Sequence, residues 1–333
     1  MEYLVRGRDR RTDPRLVFPG AKSILCVAIP YTRKPAGAAD LGEGPRYARY
    51  LQDGDYHQSV ADRLERAMTK LLIQFPELKW KVCVDTSAIL ERSWAVLAGL
   101  GWVGKNTMLI HPKYGSYLFI AEVLINLETH HGPAPLPDFC GNCRRCLDGC
   151  PTKAFSAPRT MNATRCISYW TLEKRGELLL EEKDRLAVGP WIAGCDICQE
   201  VCPFNIKPTR ELQATPLGQN ATLVQTWREL LQESEESYKA RVKFSALKRV
   251  KPAQFRRNLA LTLANAVAQA KSEGDSSFSL LQQNLLELVR TQSEIETDSA
   301  AKIEWARCME FLNRPDESHK YPRAPDRHEE NES

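Results

Sequence analysis

Eight of the eleven cysteines lie between residues 140 and 202 and could bind metal. Residues 139–155 read FCGNCRRCLDGCPTKAF, with the cysteine spacing C-x2-C-x2-C-x3-C-P. A second run, C-x2-C-x3-C-P, begins at Cys195, and the single Cys166 precedes it. Thiolates at such spacings suit zinc or an iron–sulfur cluster. The first run has the spacing of bacterial ferredoxins, in which the fourth cysteine ligates the other of two clusters.

This crossed pairing uses all eight cysteines and predicts two [4Fe–4S] clusters. The predicted ligands of the first cluster are Cys140, Cys143, Cys146 and Cys202, and those of the second are Cys150, Cys166, Cys195 and Cys198. Paired zinc sites and disulfides are the alternatives, but a cysteine cluster inside a long chain is more typical of metal than of disulfides. Cys26 and Cys83 lie in strand-like segments and are interpreted as buried, inert thiols.

Two neighbouring clusters form an electron relay, and a ferredoxin-like carrier is the simplest function for one. Long segments on both sides of the clusters argue that the electrons reach a further site. Asp85 is the candidate there, because it ends a predicted strand before a helix expected to begin near Ser87. Its carboxylate could be a helix N-cap, or a general acid if burial raises its pKa.

The elements around these residues predict three regions and a tail. Residues 23–31 and 117–126 are predicted strands, and residues 59–75 and 87–101 are predicted helices, which makes residues 1–134 an α/β domain. A proline-rich loop separates it from a two-cluster domain at 135–210. Residues 211–313 are predicted to be helical, with helices in FRRNLALTLANAVAQA, FSLLQQNLLELVR and AAKIEWARCMEFL, and the polar residues 314–333 to be disordered.

The formal charge of +4 is mild, so any nucleic-acid footprint must be local. Residues 241–257 carry seven basic residues and no acidic one. Such density suits phosphate contacts, although a solvated helix face would look the same. The predicted RNA contacts are Lys248, Arg249, Lys251, Arg256 and Arg257. We find no leader and no apolar run approaching the length of a membrane helix, so a cytoplasmic chain without membrane contact is expected.

Several motifs, in the same order, resemble the epoxyqueuosine reductase family. They are DTSAILERSWAVLAGLGWVGKNTMLI, CGNCRRCLDGCPTKAF, RCISYW and GCDICQEVCPFN. The resemblance implies an enzyme with two [4Fe–4S] clusters and cobalamin that reduces epoxyqueuosine to queuosine in the anticodon loop of tRNA. It implies an α/β cobalamin-binding domain, a bacterial ferredoxin-like domain and an α-helical, HEAT-like C-terminal region. The family's proton donor is the aspartate that matches Asp85.

The resemblance also implies contacts with the corrinoid or the substrate for Arg11, Tyr47, Arg49 and Ser168. His57 could be a cobalt ligand, but the family holds cobalamin without a protein histidine on cobalt, so a hydrogen-bonding role is expected. A monomer is predicted, with an electron donor of the ferredoxin or flavodoxin type. Compared with most family members, this sequence has fewer residues at the N-terminus and is expected to have fewer helical repeats. A corrinoid reductase of a small molecule, similar to a reductive dehalogenase, and a non-enzymatic electron-transfer module are the alternatives.

Overall fold

The structure is a computed structural model that describes residues 7–31, 44–52, 54–130, 132–206, 226–273 and 278–313. Its first elements are short helices and strands around one sheet. In chain order they are α1 (Arg8–Thr12), β1 (Ser23–Pro30), β2 (Arg46–Tyr47), α2 (Tyr56–Leu71), β3 (Trp80–Val84), α3 (Glu91–Leu97), β4 (Trp102–Val103), β5 (Leu109–Ile110) and β6 (Leu118–Ile125).

The central sheet has the strand order β1-β6-β3, and both pairs are antiparallel. The strands predicted at residues 23–31 and 117–126 are confirmed to within one residue as β1 and β6. Helix α2 packs on one face of the sheet, where Met68 meets Val123. Helix α3 and the turns before it cover the other face, where Ile89 meets Leu124. The predicted α/β character of this region is therefore present.

Both predicted helices in this region begin at different residues from those expected. Helix α2 begins at Tyr56 rather than Ser59, because the Asp55 side chain caps it by accepting from the His57 N–H. Helix α3 begins at Glu91 rather than near Ser87, with Leu90 as its N-cap residue. The interpretation of Asp85 as a helix N-cap is therefore wrong.

The cysteine segment contains only short elements, which the cysteine runs separate. They are α4 (Arg145–Asp148), β7 (Phe155–Ala157), β8 (Thr160–Met161), a π-helix (Tyr169–Glu173), α5 (Glu182–Ala187), β9 (Trp191–Ala193), α6 (Ile197–Glu200) and α7 (Pro203–Ile206). Strand β9 pairs in parallel with β2. This pairing joins the cysteine segment to the N-terminal region.

The remaining described chain is helical. It consists of α8 (Trp227–Gln232), α9 (Glu235–Val242), α10 (Pro252–Glu273), α11 (Phe278–Ile295) and α12 (Ser299–Asn313), with a 3₁₀ turn at Ala246–Arg249. The three helices predicted here are confirmed as α10, α11 and α12. None of the helices in the described ranges is long and apolar enough to cross a membrane. The tail at 314–333, predicted to be disordered, lies outside the described residues.

One hydrophobic core runs through the N-terminal and C-terminal regions. It includes Phe119 on β6, Ile192 on β9, Leu263 on α10 and Trp305 on α12. Packing is therefore continuous across the boundary predicted between residues 134 and 135. The boundary predicted between residues 210 and 211 lies outside the described residues, and the domain division stays a prediction.

Glu122 occupies the centre of the sheet, on β6, with Cys26 and Cys83 as its neighbours on the two flanking strands. Its side chain is fully buried, and neither carboxyl oxygen has a hydrogen-bond partner among the described residues. Burial, and then the nearby Glu91, raises the pKa of Glu122 to about 8. An uncharged carboxylic acid is therefore the form that the folded chain stabilises at neutral pH.

Replacing Glu122 with Gln should remove a pH-dependent destabilisation. The folded pKa lies above the unfolded value, so wild-type stability falls as pH rises from the unfolded pKa to the folded one and is constant above it. Between about pH 5 and pH 8 this amounts to about 4 kcal/mol for a fully buried group. Thermal unfolding at a fixed scan rate should show Glu122→Gln gaining stability over wild type as pH rises. The control is the exposed Glu128→Gln, and equal pH slopes in all three proteins would contradict the assignment.

Candidate active site and cluster ligands

Asp85 lies in an unusual turn directly after β3. Its φ is +51°, in the left-handed region that non-glycine residues seldom adopt, and the Thr86 N–H donates to the Val84 carbonyl across it at 2.5 Å. Such a conformation costs about 1–3 kcal/mol and persists only where its surroundings fix it. Here the Asp85 N–H donates to Glu91 Oε1 at 2.6 Å. Glu91, the first residue of α3, therefore holds the backbone that presents Asp85.

The Asp85 side chain is 44% exposed and meets His57. Asp85 Oδ2 lies 3.0 Å from His57 Nε2, and His57 Nδ1 lies 2.7 Å from Asp55 Oδ1. The ammonium group of Lys248 donates to the second oxygen of Asp55. The four side chains therefore form a continuous chain of alternating charge, and Asp85 and Lys248 are its solvent-exposed ends.

Charge and burial decide which member of this chain carries the proton. The hydrogen bond with His57 is the largest influence on Asp85 and lowers its pKa, with a further contribution from the positive charge of Arg249, although burial opposes both. Burial alone would lower the pKa of His57, but the hydrogen bonds with Asp85 and Asp55 outweigh it and raise that pKa above 6.5. The condition stated for a general acid, a pKa raised by burial, is therefore not met by Asp85 alone. The proton resides mainly on the imidazole.

Aromatic packing fixes the orientation of that imidazole. The Tyr56 ring stacks on the His57 ring, with centroids 4.1 Å apart, and on the Phe119 ring at 4.3 Å. Phe119 belongs to β6, so the ring stack connects His57 to the centre of the sheet. The sequence did not identify His57 as the partner of Asp85, because the two residues are far apart in the chain. The only available signal was the DYH motif at the start of α2.

The cysteines predicted to be cluster ligands lie close to one another. All eleven cysteines are free thiols, so the disulfide alternative is wrong. Burial, and then the neighbouring Cys202, Cys140 and Cys143, raises the pKa of Cys146 to about 11. Burial likewise raises the pKa of Cys195, with contributions from Cys198 and Cys166, and Cys150 acts on Cys166 in the same way. Cys146 and Cys150 both act on Cys198. These neighbours are compatible with the crossed pairing, and the division into two ligand sets stays a prediction.

The donor groups around these thiols suit iron–sulfur clusters. Trp102 Nε1 donates to Cys140 Sγ at 3.4 Å, and the Ala154 N–H donates to Cys150 Sγ at 3.3 Å. Such hydrogen bonds to sulfur help to set a cluster's reduction potential. In the described part of the chain, no group of three or more His, Cys, Asp or Glu side chains is arranged to hold a metal ion.

Comparisons with known proteins match both the cysteine segment and the N-terminal segment that contains His57 and Asp85. Residues 139–205 match the family model of a 4Fe-4S double cluster binding domain, and residues 11–86 match the model described as epoxyqueuosine reductase QueG, DUF1730. The chain is 39% identical over 255 residues to the epoxyqueuosine reductase of Synechococcus sp. (strain CC9605), an alignment that covers 75% of this chain and 77% of that protein. The Pseudomonas aeruginosa epoxyqueuosine reductase is 35% identical over 273 residues, with 80% and 74% covered.

The chain belongs to the epoxyqueuosine reductase family. It is an oxidoreductase with a double iron–sulfur cluster domain. A crystal structure of epoxyqueuosine reductase with an epoxyqueuosine-modified tRNA stem loop is similar to it, with a TM-score of 0.72, 28% identity, and coverage of 92% of this chain and 86% of that one. The Bacillus subtilis family member, determined with its catalytic aspartate loop swung out of the active site, has a TM-score of 0.70, 27% identity and the same coverage.

The predicted cofactor contacts stay predictions. Tyr47 is only 3% exposed and packs in the main core, and its buried hydroxyl has no hydrogen-bond partner among the described residues. Arg49 lies closer to the clusters: its guanidinium stacks on the Tyr117 ring at 4.3 Å, and its N–H donates to Asp196, next to Cys195. Ser168 is half-buried and precedes the π-helix. Tyr47, Arg49 and Ser168 therefore stay predictions.

The predicted contact at Arg11 lies near a different cavity. A cleft of about 770 Å³ follows the outer edge of β1, and its lining includes Thr12, Ser23, Trp94 and His130. Arg11 precedes Thr12 on α1, whereas neither Asp85 nor His57 lines this cleft. The structure therefore does not bring Arg11 together with the Asp85 site.

The predicted RNA contacts divide into buried and exposed residues. Arg257 is 1% exposed and donates to the carbonyls of Trp170, Lys174 and Gly176, so the prediction that it contacts RNA is wrong. Its charge holds α10 against the π-helix segment. Arg256 is ion-paired with Glu296 and Glu235. The sequence did not show that Arg256 and Arg257 have structural partners, because those partners lie far away in the chain.

The other three predicted RNA contacts are at least partly exposed, and two of them are linked to the Asp85 site. Lys248 pairs with Asp55, and Arg249 pairs with Glu173 while its charge acts on Asp85. Lys251 is exposed. These residues stay candidates for phosphate contacts, and two of them also belong to the electrostatics of the site.

Paired cysteine variants should distinguish the crossed from the uncrossed ligand assignment. Under crossed pairing, Cys146→Ala with Cys150→Ala removes a ligand from both clusters, so nearly all iron should be lost. Cys150→Ala with Cys198→Ala damages one cluster, so about half of the iron should remain. Iron and sulfide analysis of anaerobically purified protein measures both. Cys26→Ala is the control with full iron, and the reverse order of the two double variants would contradict the assignment.

Proposed function

We propose that this chain reduces epoxyqueuosine to queuosine in the anticodon loop of tRNA, with electrons passing through two [4Fe–4S] clusters to cobalamin and with Asp85 as the proton donor. The observation that carries the proposal is the hydrogen bond between His57 and Asp85, which makes a proton available at the tip of a fixed turn. Support comes from the family membership and from the similar structure that holds a modified tRNA stem loop.

The reaction defines what the site must supply. Converting an epoxide to an alkene breaks two carbon–oxygen bonds, consumes two electrons and two protons, and releases water. Clusters deliver electrons singly, so two successive transfers complete one turnover. A donor of the ferredoxin or flavodoxin type would supply them. The oxygen that departs from carbon needs a proton at once, which is the task of a general acid.

Asp85 and His57 would act on that proton as a pair. The carboxyl group of Asp85 reaches solvent, whereas His57 lies behind it between two carboxylates. The single proton of the pair would move from the His57 imidazolium to Asp85 as Asp85 passes it to the departing oxygen, which leaves a neutral His57 and an Asp85 carboxylate. Asp55 and Lys248 would then hold the imidazole in place during the transfer. The low pKa of Asp85 in the resting site is compatible with this role, because the pair as a unit retains the proton.

The residues between Asp85 and the clusters fit a large polar cofactor in one respect. The Tyr117 hydroxyl is buried and has no hydrogen-bond partner among the described residues, and Arg49 stacks on its ring. A buried polar group of this kind normally has a partner. Tyr117, Arg49 and Ser168 would hold cobalamin here. When bound, cobalamin supplies a strongly nucleophilic or reducing cobalt centre.

Asp85→Asn should abolish the reaction without loss of cofactors. An amide of the same shape cannot donate a carboxylic proton, and a general acid typically contributes about 10²–10⁴-fold to the rate. Anaerobic single-turnover assays with an epoxyqueuosine-containing stem loop, read by mass spectrometry, measure the loss. Asp62→Asn, an exposed aspartate on α2, is the matched control. Conversion at the wild-type rate by Asp85→Asn would rule out Asp85 as the donor.

The rate should fall as pH rises through the pKa of His57. The pair is protonated below that pKa, which lies above 6.5, and it loses its proton above it. His57→Gln should be slower and should lack this limb of the pH–rate profile. The charged or titratable groups around His57 are Asp55, Asp85, Lys248, Arg249, Tyr56 and Glu91. An unchanged pH profile in His57→Gln would contradict the shared-proton mechanism.

A further inference from the structure

Phe244 presents an aromatic ring to solvent beside the proposed active site. Its side chain is 73% exposed, which is unusual for a phenylalanine, and it contributes nothing to the described hydrophobic core. The residues that follow, Ser245, Ala246 and Leu247, are buried. The exposed ring is therefore the one outward-facing apolar side chain of an otherwise well-packed bend.

The position of this bend is fixed from both sides. The Phe244 carbonyl accepts from the Asp55 N–H at 2.7 Å, and the Ser245 side chain accepts from the Leu247 N–H to cap the following 3₁₀ turn. Asp55 is the residue that holds His57. Two further hydrogen-bonded steps therefore connect the Phe244 backbone to Asp85, and the ring lies at the rim of the same site.

A positive charge lies next to the ring, and further lysines follow in the same stretch of chain. The Lys243 ammonium lies 5.2 Å from the centroid of the Phe244 ring. Lys243, Lys248 and Lys251 are all exposed, and of the three, Lys248 is ion-paired with Asp55. An aromatic platform bordered by lysines is the combination that recognises single-stranded nucleic acid, because bases stack on the ring while phosphates meet the charges.

We propose that Phe244 stacks on a base of the tRNA anticodon loop next to the modified nucleoside, with Lys243 and Lys251 on the adjacent phosphates. The inference rests on the proposed tRNA substrate and adds a defined contact to it. A stacked neighbouring base would hold the loop open at the rim and leave the modified nucleoside free to approach Asp85. Such stacking tolerates any base, so it would position the loop without reading its sequence.

Binding of an anticodon stem loop without the epoxide tests this contact independently of turnover. A 2-aminopurine placed on either side of the modified position should change in fluorescence on binding to wild type, because stacking alters its emission. Phe244→Ala should weaken binding by about tenfold or more and lose the fluorescence change, whereas Phe244→Trp should retain both. Phe75→Ala, which removes another exposed phenylalanine near the end of α2, should bind as wild type does.

Salt dependence separates stacking from charge. Lys243→Ala should reduce the slope of log Kd against log salt by about one phosphate contact, whereas Phe244→Ala should weaken binding equally at all salt concentrations. Wild-type affinity and fluorescence in Phe244→Ala would overturn the stacking contact and leave the proposed function intact. Absence of stem-loop binding by wild type itself would overturn both.

Discussion

The hydrogen bond between His57 and Asp85 is the contact on which the proposed chemistry depends. Asp85 follows β3, His57 begins α2, and the Lys248 that completes the chain of charges comes from the helical region. A displacement of any of these three segments by more than a few tenths of an ångström would break a bond of 3.0 Å or less. The continuous core that joins the N-terminal and C-terminal regions therefore has a direct role in holding the proton.

Several features around that bond destabilise the folded chain, and packing alone does not explain their presence. The backbone at Asp85 is left-handed, and burial raises the pKa of the Glu91 carboxyl group to about 7. On the α3 face of the sheet, Glu122 is also buried and uncharged at neutral pH. A sequence optimised only for stability would place apolar side chains at these buried positions. Glu91 connects these features to the site, because it accepts from the Asp85 N–H and its charge acts on Glu122.

The sequence predicted local features well and long-range partners poorly. Strands β1 and β6 and helices α10 to α12 could be predicted from the periodic spacing of apolar residues, because this spacing is a property of each short segment. The double-cluster domain could be predicted from cysteine spacing, because a cluster imposes fixed geometry on its ligands. The pairing of His57 with Asp85 and the burial of Arg257 depend on contacts between distant segments, which periodicity cannot reveal. Helix α3 begins later than predicted, at Glu91, and Asp85 lies in a separate turn before it.

The parallel pairing of β2 with β9 has a consequence for biosynthesis. Residues 46–47 leave the ribosome long before residues 191–193. The two strands therefore cannot pair until the later segment has been synthesised. The N-terminal region must therefore wait in an incomplete state while the cysteine segment is synthesised, exposing the apolar surface around Ala48 and Leu51 that later becomes core. A delay in synthesis or folding of the cysteine segment would therefore prolong exposure of this surface to aggregation and proteolysis.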